Sequence, residues 1–176
     1  MRFSEMGWFP LVCRHGVVLA YADLIKEYEQ SKFPLALAHW FATQYSGRIT
    51  FGYDIGCQFQ KTFRHAPAVS HLLGPDPHNS RINFQVGAWH GYAHNRPCQV
   101  KYHPRFNAEA GLEDFETCER LFSYTNGVAG VTRSATRYHR HQQLEWVIEQ
   151  WNNDKLCLMG TSNCRSVRRC SVRTLC

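Results

Sequence analysis

Apolar residues come first in two short runs near the start of the chain, and their spacing then changes several times. Residues 7–13 (GWFPLVC) and 16–21 (GVVLAY) are short, partly β-branched runs separated by Arg14, His15 and Gly16, which predicts two strands joined as a tight hairpin. Pro10 places the first strand at an edge, because proline cannot donate to a ladder on both sides. From 22 to 45 the apolar residues recur at helical spacing in two pieces: Leu24, Ile25 and Tyr28, then Leu35, Leu37, Ala38 and Phe41. Pro34 fits the first turn of the second piece, with Ser31 as a nearby cap. Residues 48–53 (RITFGY) read as a strand with Asp54 at its end, 57–73 as a helix and 74–80 (GPDPHNS) as a loop. Residues 83–88 (NFQVGA) read as another strand, and 112–124 and 131–151 as helices. Strands and helices interleaved in this order predict one α/β or α+β domain on a mixed sheet.

Composition narrows this little. At 176 residues, 44% of them hydrophobic and 14% aromatic, the chain suits a single ordinary core. No apolar run reaches the roughly 18–20 residues that cross a bilayer, and residues 1–12 lack the basic and apolar blocks of a signal peptide. Eight cysteines without such a signal read as thiols or metal ligands rather than disulfides, and no CxxC pair occurs. Charge is uneven. Between 152 and 176, Lys155, Arg165, Arg168, Arg169 and Arg173 against Asp154 carry +4 of the net +6, a tail that favours polyanions.

Candidate chemistry concentrates between 88 and 123. His90, His94 and Cys98 stand at i, i+4 and i+8, which would align them on one helix face as ligands for a divalent metal, with Cys57 or His103 as a fourth. Pro97 opposes an unbroken helix there, and ordinary hydrogen-bonded histidines are the alternative. Glu113, Asp114, Glu116 and Glu119 follow, ending in Arg120. Glu116 and Arg120 could pair across one turn, leaving Glu119 to reach a metal. Asp54 and Glu119 are the pair expected to converge, since Mg²⁺ takes oxygen ligands; an Asp at a strand end is equally a common turn former. Arg133, Arg137 and Arg140 form a basic stripe, either a phosphate-binding row or a solvated face. Cys13 and His15 read as turn residues of the hairpin tip.

CRHG (13–16), YDIGCQF (53–59), AWHGYAHNRPCQ (88–99), GLEDFETCERLFSYTN (111–126), TRSATRYHRHQ (132–142) and WNNDK (151–155) together resemble the Kyakuja-Dileera-Zisupton (KDZ) transposases. The resemblance implies an α/β, ribonuclease-H-like mixed sheet with flanking helices over residues 1–155. It also implies metal-dependent cleavage and transfer of DNA strands by three acids holding Mg²⁺ or Mn²⁺, in the nucleus, in an oligomer of the transposase type, with no membrane partner. Asp54 would be the second acid and Glu119 the third, with Glu116 competing. His90, His94 and Cys98, with Cys57, resemble a Cys/His motif suited to structural Zn²⁺. Arg120, Arg133, Arg137 and Arg140 are the candidate DNA contacts. The family's first acid lies upstream of CRHG, whereas residues 1–12 hold only Glu5. The first strand is therefore expected to be missing and the chain inactive by itself, or else a non-catalytic DNA- or partner-binding module. Residues 156–176 depart from the family and are expected to be a disordered, Cys-containing tail.

Overall fold

The computed structural model describes residues 5–25, 31–74, 80–160 and 173–175. It is a mixed α/β structure, and the chain divides into two compact units, one of residues 1–29 with 117–176 and one of residues 30–116.

In the first unit, β1 (Glu5–Val12) and β2 (Val18–Ile25) form the expected antiparallel hairpin. The Gly16 N–H donates to the Cys13 carbonyl and the Cys13 N–H to that of Val17, with Gly16 at φ 91°, a left-handed conformation that favours glycine. The helix expected from residue 22 does not start there. Ala22–Ile25 extend β2, because each pairs across the ladder with β1 (Trp8 with Asp23, Gly7 with Leu24), and that long-range pairing overrides three apolar residues at helical spacing. Residues 26–30, with Tyr28, lie outside the described residues.

The hairpin packs on α5 (Thr117–Thr125) and the long α7 (Arg137–Leu158) around Val18, Tyr21, Leu121, Ile148 and Trp151. The WNNDK segment has a visible structural task here. Trp151 Nε1–H donates to the Gly16 carbonyl, while Asn152 accepts from the Val18 N–H (2.8 Å) and donates to the Val18 carbonyl (3.1 Å). A buried side-chain amide thus satisfies both polar groups of one strand residue. Buried Asp23 on β2 lies 3.2 Å from Arg140 Nη1 and 3.1 Å from His141 Nε2 of α7. The single helix expected over 131–151 is broken. The short α6 (Ala129–Thr132) ends, and Thr136 caps α7 by accepting from the His139 N–H. α7 continues past residue 155 to Leu158, and β5 (Arg173–Leu175) runs parallel to β2. The rest of the expected disordered tail, 161–172 and 176, lies outside the described residues.

In the second unit, β3 (Ile49–Gly52) and β4 (Ile82–Gln85) are parallel, joined through α2 (Gly56–His65) and α3 (Pro67–Ser70), a strand–helix–strand unit. The core gathers Ile49, Phe59, Phe63, Val69, Ile82 and Phe84 with Ala38 and Ala42 of α1 (Lys32–Gln44). The 57–73 helix stops at His65 because Pro67 holds Ala66 in an extended conformation (ψ 111°). Arg81 holds the end of α1, donating to the carbonyls of Ala42 (2.7 Å), Tyr45, Ser46 and Gly47. The strand expected over 83–88 is shorter, ending at Gln85.

Candidate metal-binding sites

β3 ends at Gly52, and Asp54 follows in the turn that leads into α2. Its carboxylate therefore stands at the C-terminal end of a parallel strand, where α/β folds bind their ligands. The turn is tight. Gly56 N–H donates to the Tyr53 carbonyl (2.7 Å), Tyr53 N–H prolongs the ladder to Gln85 (3.0 Å), and a Cβ at Gly56 would sit 2.5 Å from the Gln85 carbonyl oxygen.

His90 opens a short 3-10 turn (His90–Ala93). Its Nδ1 lies 3.5 Å from Asp54 Oδ1 and 3.2 Å from Glu116 Oε2. An ionised carboxylate only accepts, so the Nδ1 proton is held toward the two acids. Glu116 is the more sheltered of them: its side chain is 12% exposed against 52% for Asp54. Its Oε1 also accepts from the backbone N–H of Trp89 (2.7 Å) and His90 (3.3 Å), and Gly87 lets it approach the chain closely. Glu116 is thus engaged in fixing the histidine turn.

The segment carrying it differs from expectation. Residues 112–116 are not helical: Leu112 is wholly exposed, Phe115 has φ 57°, and α5 begins only at Thr117. Glu116 and Arg120 are therefore not one turn apart on a helix, and Arg120 donates to Thr117 Oγ1 (3.1 Å). Glu119 is exposed in the first turn of α5, in the unit of residues 117–176, whereas Asp54, His90 and Glu116 belong to the unit of residues 30–116.

The expected His90, His94, Cys98 helix face does not form. Asn95 breaks it by capping α4 (Arg96–Tyr102), accepting from the Cys98 N–H (3.0 Å), and Pro97 occupies the first turn of that new helix. His90 turns to the carboxylates, while His94 turns to sulfur. His94 Nδ1 is 3.5 Å from Cys57 Sγ on α2 and 3.2 Å from Cys98 Sγ on α4. Zinc at about 2.3 Å from sulfur and about 2.0 Å from nitrogen would separate tetrahedral N and S ligands by about 3.5 Å. Two thiols and an imidazole at that spacing form a soft donor set that could hold zinc, with a fourth position for water or a further ligand. Burial, reinforced by the Cys57 side chain, pushes the Cys98 thiol up to about 11. His103 does not supply the fourth ligand. It is buried, its Nε2–H donates to the Ala88 carbonyl (3.0 Å) and its Nδ1 accepts from the Arg105 N–H (3.1 Å).

The arginine stripe is also redistributed. Arg140 faces inward to Asp23, Arg133 follows α6, and Arg137 opens α7, so the three do not share one helix face. Arg133 and Arg137 are exposed. Cys13 and His15 join no ligand group among the described residues.

An acid just past a parallel strand and a Cys/His group at the helices that follow it give this mixed α/β protein side chains that could hold a metal ion. Residues 1–152 match the family model described as Kyakuja-Dileera-Zisupton transposase, and the chain belongs to the KDZ transposase family. No curated protein and no solved structure matches it. Among the described residues, no helix is long and apolar enough to cross a membrane.

Proposed function

We propose that this chain carries part of a metal-dependent phosphoryl-transfer site that acts on DNA in the nucleus, within a ribonuclease-H-like domain. The supporting observation is Asp54, an exposed carboxylate closing β3 of a chain whose residues 1–152 match a transposase family. Along the chain an antiparallel hairpin precedes a parallel strand–helix–strand unit, an order compatible with such a domain, with the two in separate sheets. On the family resemblance, Asp54 and Glu119 are the acids that would hold Mg²⁺ or Mn²⁺. Bound there, such ions would supply the Lewis acidity that an in-line displacement at a phosphodiester needs. Glu116 holds the His90 ring, whose Nδ1 lies 3.5 Å from Asp54 Oδ1, beside that carboxylate. Cys57, His94 and Cys98 would hold a structural zinc, which would link α2 to α4 beside the turn bearing Asp54.

The family resemblance implies three acids, of which Asp54 and Glu119 are the two assigned here. Catalysis depends strictly on that geometry. Assayed with Mg²⁺ or Mn²⁺ on duplex DNA carrying terminal repeats, the purified chain is expected to bind without appreciable strand cleavage. Robust turnover that Asp54→Ala abolishes would overturn the inactivity while supporting Asp54 as a catalytic acid. Turnover indifferent to Asp54→Ala would remove the proposed site altogether.

A further inference from the structure

Two acid-free stretches face each other in the unit of residues 30–116. Residues 55–75 contain Lys61 and Arg64 and no Asp or Glu; residues 90–108 contain Arg96, Lys101 and Arg105 and likewise no acid. The fold brings part of each together. Gln60, Lys61 and Arg64 of α2 and Lys101 and Tyr102 of α4 line a cleft of about 170 Å³. That is smaller than the roughly 300 Å³ at which small-molecule pockets begin, so a metabolite is a poor fit. A single anionic group entering from solvent suits it better, because three cations converge on it and the polar Gln60 and Tyr102 complete its lining. Lys101 leans over the Tyr102 ring at 5.3 Å, which holds the flexible ammonium beside the opening.

Helical spacing links this cleft to the Cys/His group. Cys57, Lys61 and Arg64 stand at i, i+4 and i+7 on α2, and Cys98, Lys101 and Tyr102 at i, i+3 and i+4 on α4, so each helix presents sulfur and cation on one face. The sulfurs that meet at His94 and the cations of the cleft therefore lie along the same seam, about one turn apart.

We propose that the α2–α4 cleft is a binding site for a backbone phosphate of DNA, with Lys61, Arg64 and Lys101 as its cationic contacts. This rests on the reading of DNA as substrate, and it places the contact on the helix that follows Asp54. Phosphate contacts of this kind fix register and carry no sequence information. Binding through them should be independent of sequence and steeply salt-dependent.

The test is fluorescence anisotropy of labelled duplex DNA with the full chain between 50 and 200 mM salt, using wild type and the K61E/R64E/K101E variant. The expected result is at least about tenfold weaker binding of the variant at 50 mM salt, and a salt slope shallower by about two to three. The thermal transition should be unchanged. Should the charge reversals unfold the protein, K61Q/R64Q/K101Q removes the same contacts with less repulsion and is expected to shift affinity in the same direction. Equal affinity and slope in a folded variant, or no binding by wild type, overturns the proposal. Loss of binding in the variant, with Mn²⁺ binding by the wild type that Asp54→Asn does not weaken, upholds the cleft and counts against the nuclease reading. Cleavage by wild type that the variant retains does the reverse.

Discussion

Cys57→Ser and Cys98→Ser are each expected to reduce the zinc bound by the purified protein from about one ion per chain to near none, and to lower the melting temperature. The expectation follows from the spacing of three ligand atoms supplied by α2, by the residue before the α4 cap and by α4 itself. Zinc held there joins two helices that otherwise meet through few side chains. Structural zinc sites contribute folding free energy directly, on the order of 10 kcal/mol in small zinc domains. The unit of residues 30–116 keeps a core of its own around Phe59, Phe63, Ile82 and Phe84, so partial destabilisation is expected, not collapse. Substituting cobalt for zinc gives an independent readout, since two thiolates contribute sulfur-to-metal charge-transfer bands that each serine variant diminishes. Absence of metal at one equivalent of added zinc, or zinc retained in both variants, would contradict the assignment.

The same site sets a pH dependence. The Cys98 thiol is raised from 9.0 to about 11, first by burial and then by Cys57, so the metal-free fold favours the protonated form. That contribution to stability is fully present below about pH 9 and is lost as pH rises toward 11. Zinc needs the thiolate, so its binding releases protons and tightens as pH rises, opposite to the metal-free protein. Thermal melts with and without zinc across pH 7–10 should diverge in that sense.

Gly56→Ala is expected to cost the fold about 3 kcal/mol, the upper end of ordinary overpacking, and to disturb Asp54 in the bargain. The added Cβ meets the Gln85 carbonyl, which is backbone in a parallel ladder and cannot rotate aside as a side chain would. Relief requires α2 to move from β4, and Asp54 and Cys57 move with its first turn. Lower thermal stability together with weaker zinc binding is therefore the signature; an alanine variant indistinguishable from wild type in both would show that the turn is loose. Gly47→Ala, where nothing lies within 4 Å of the added carbon, is the matched control.

Local chemistry made some of this legible and long-range pairing hid the rest. Arg14, His15 and Gly16 between apolar runs announced the hairpin, and a strand-like RITFGY ending in Asp54 announced the acid's position. The continuation of β2 through Ile25 was not readable locally, because only the ladder to β1 makes Leu24 and Ile25 extended. Pro67 and Thr136 did carry the signals that end one helix and cap another, but apolar spacing on either side masked them. At the Cys/His segment, even i, i+4, i+8 spacing suggested one face; the 3-10 turn that ends at Ala93, with His94 extended after it, divides His90 from His94, and the Asn95 cap starts the separate helix that carries Cys98. The separate fates of Glu116 and Glu119 depend on the backbone of 112–116, where Phe115 adopts a left-handed conformation that no periodicity predicts. Lys61, Arg64 and Lys101 went unremarked in the sequence, although two long stretches without a single acid were there to be counted.

The proposed function requires that Asp54 and Glu119 hold divalent ions, and Mn²⁺ titration followed by electron paramagnetic resonance reads that directly, with no need for turnover. Asp54→Asn and Glu119→Gln are each expected to weaken Mn²⁺ binding at least about tenfold, the low end of the loss seen when a metal site is disturbed. Glu116→Gln should leave it near wild type, because the amide oxygen still accepts from the Trp89 and His90 N–H groups. Mn²⁺ binding that survives both Asp54→Asn and Glu119→Gln, or that depends on Glu116 instead, would contradict the account.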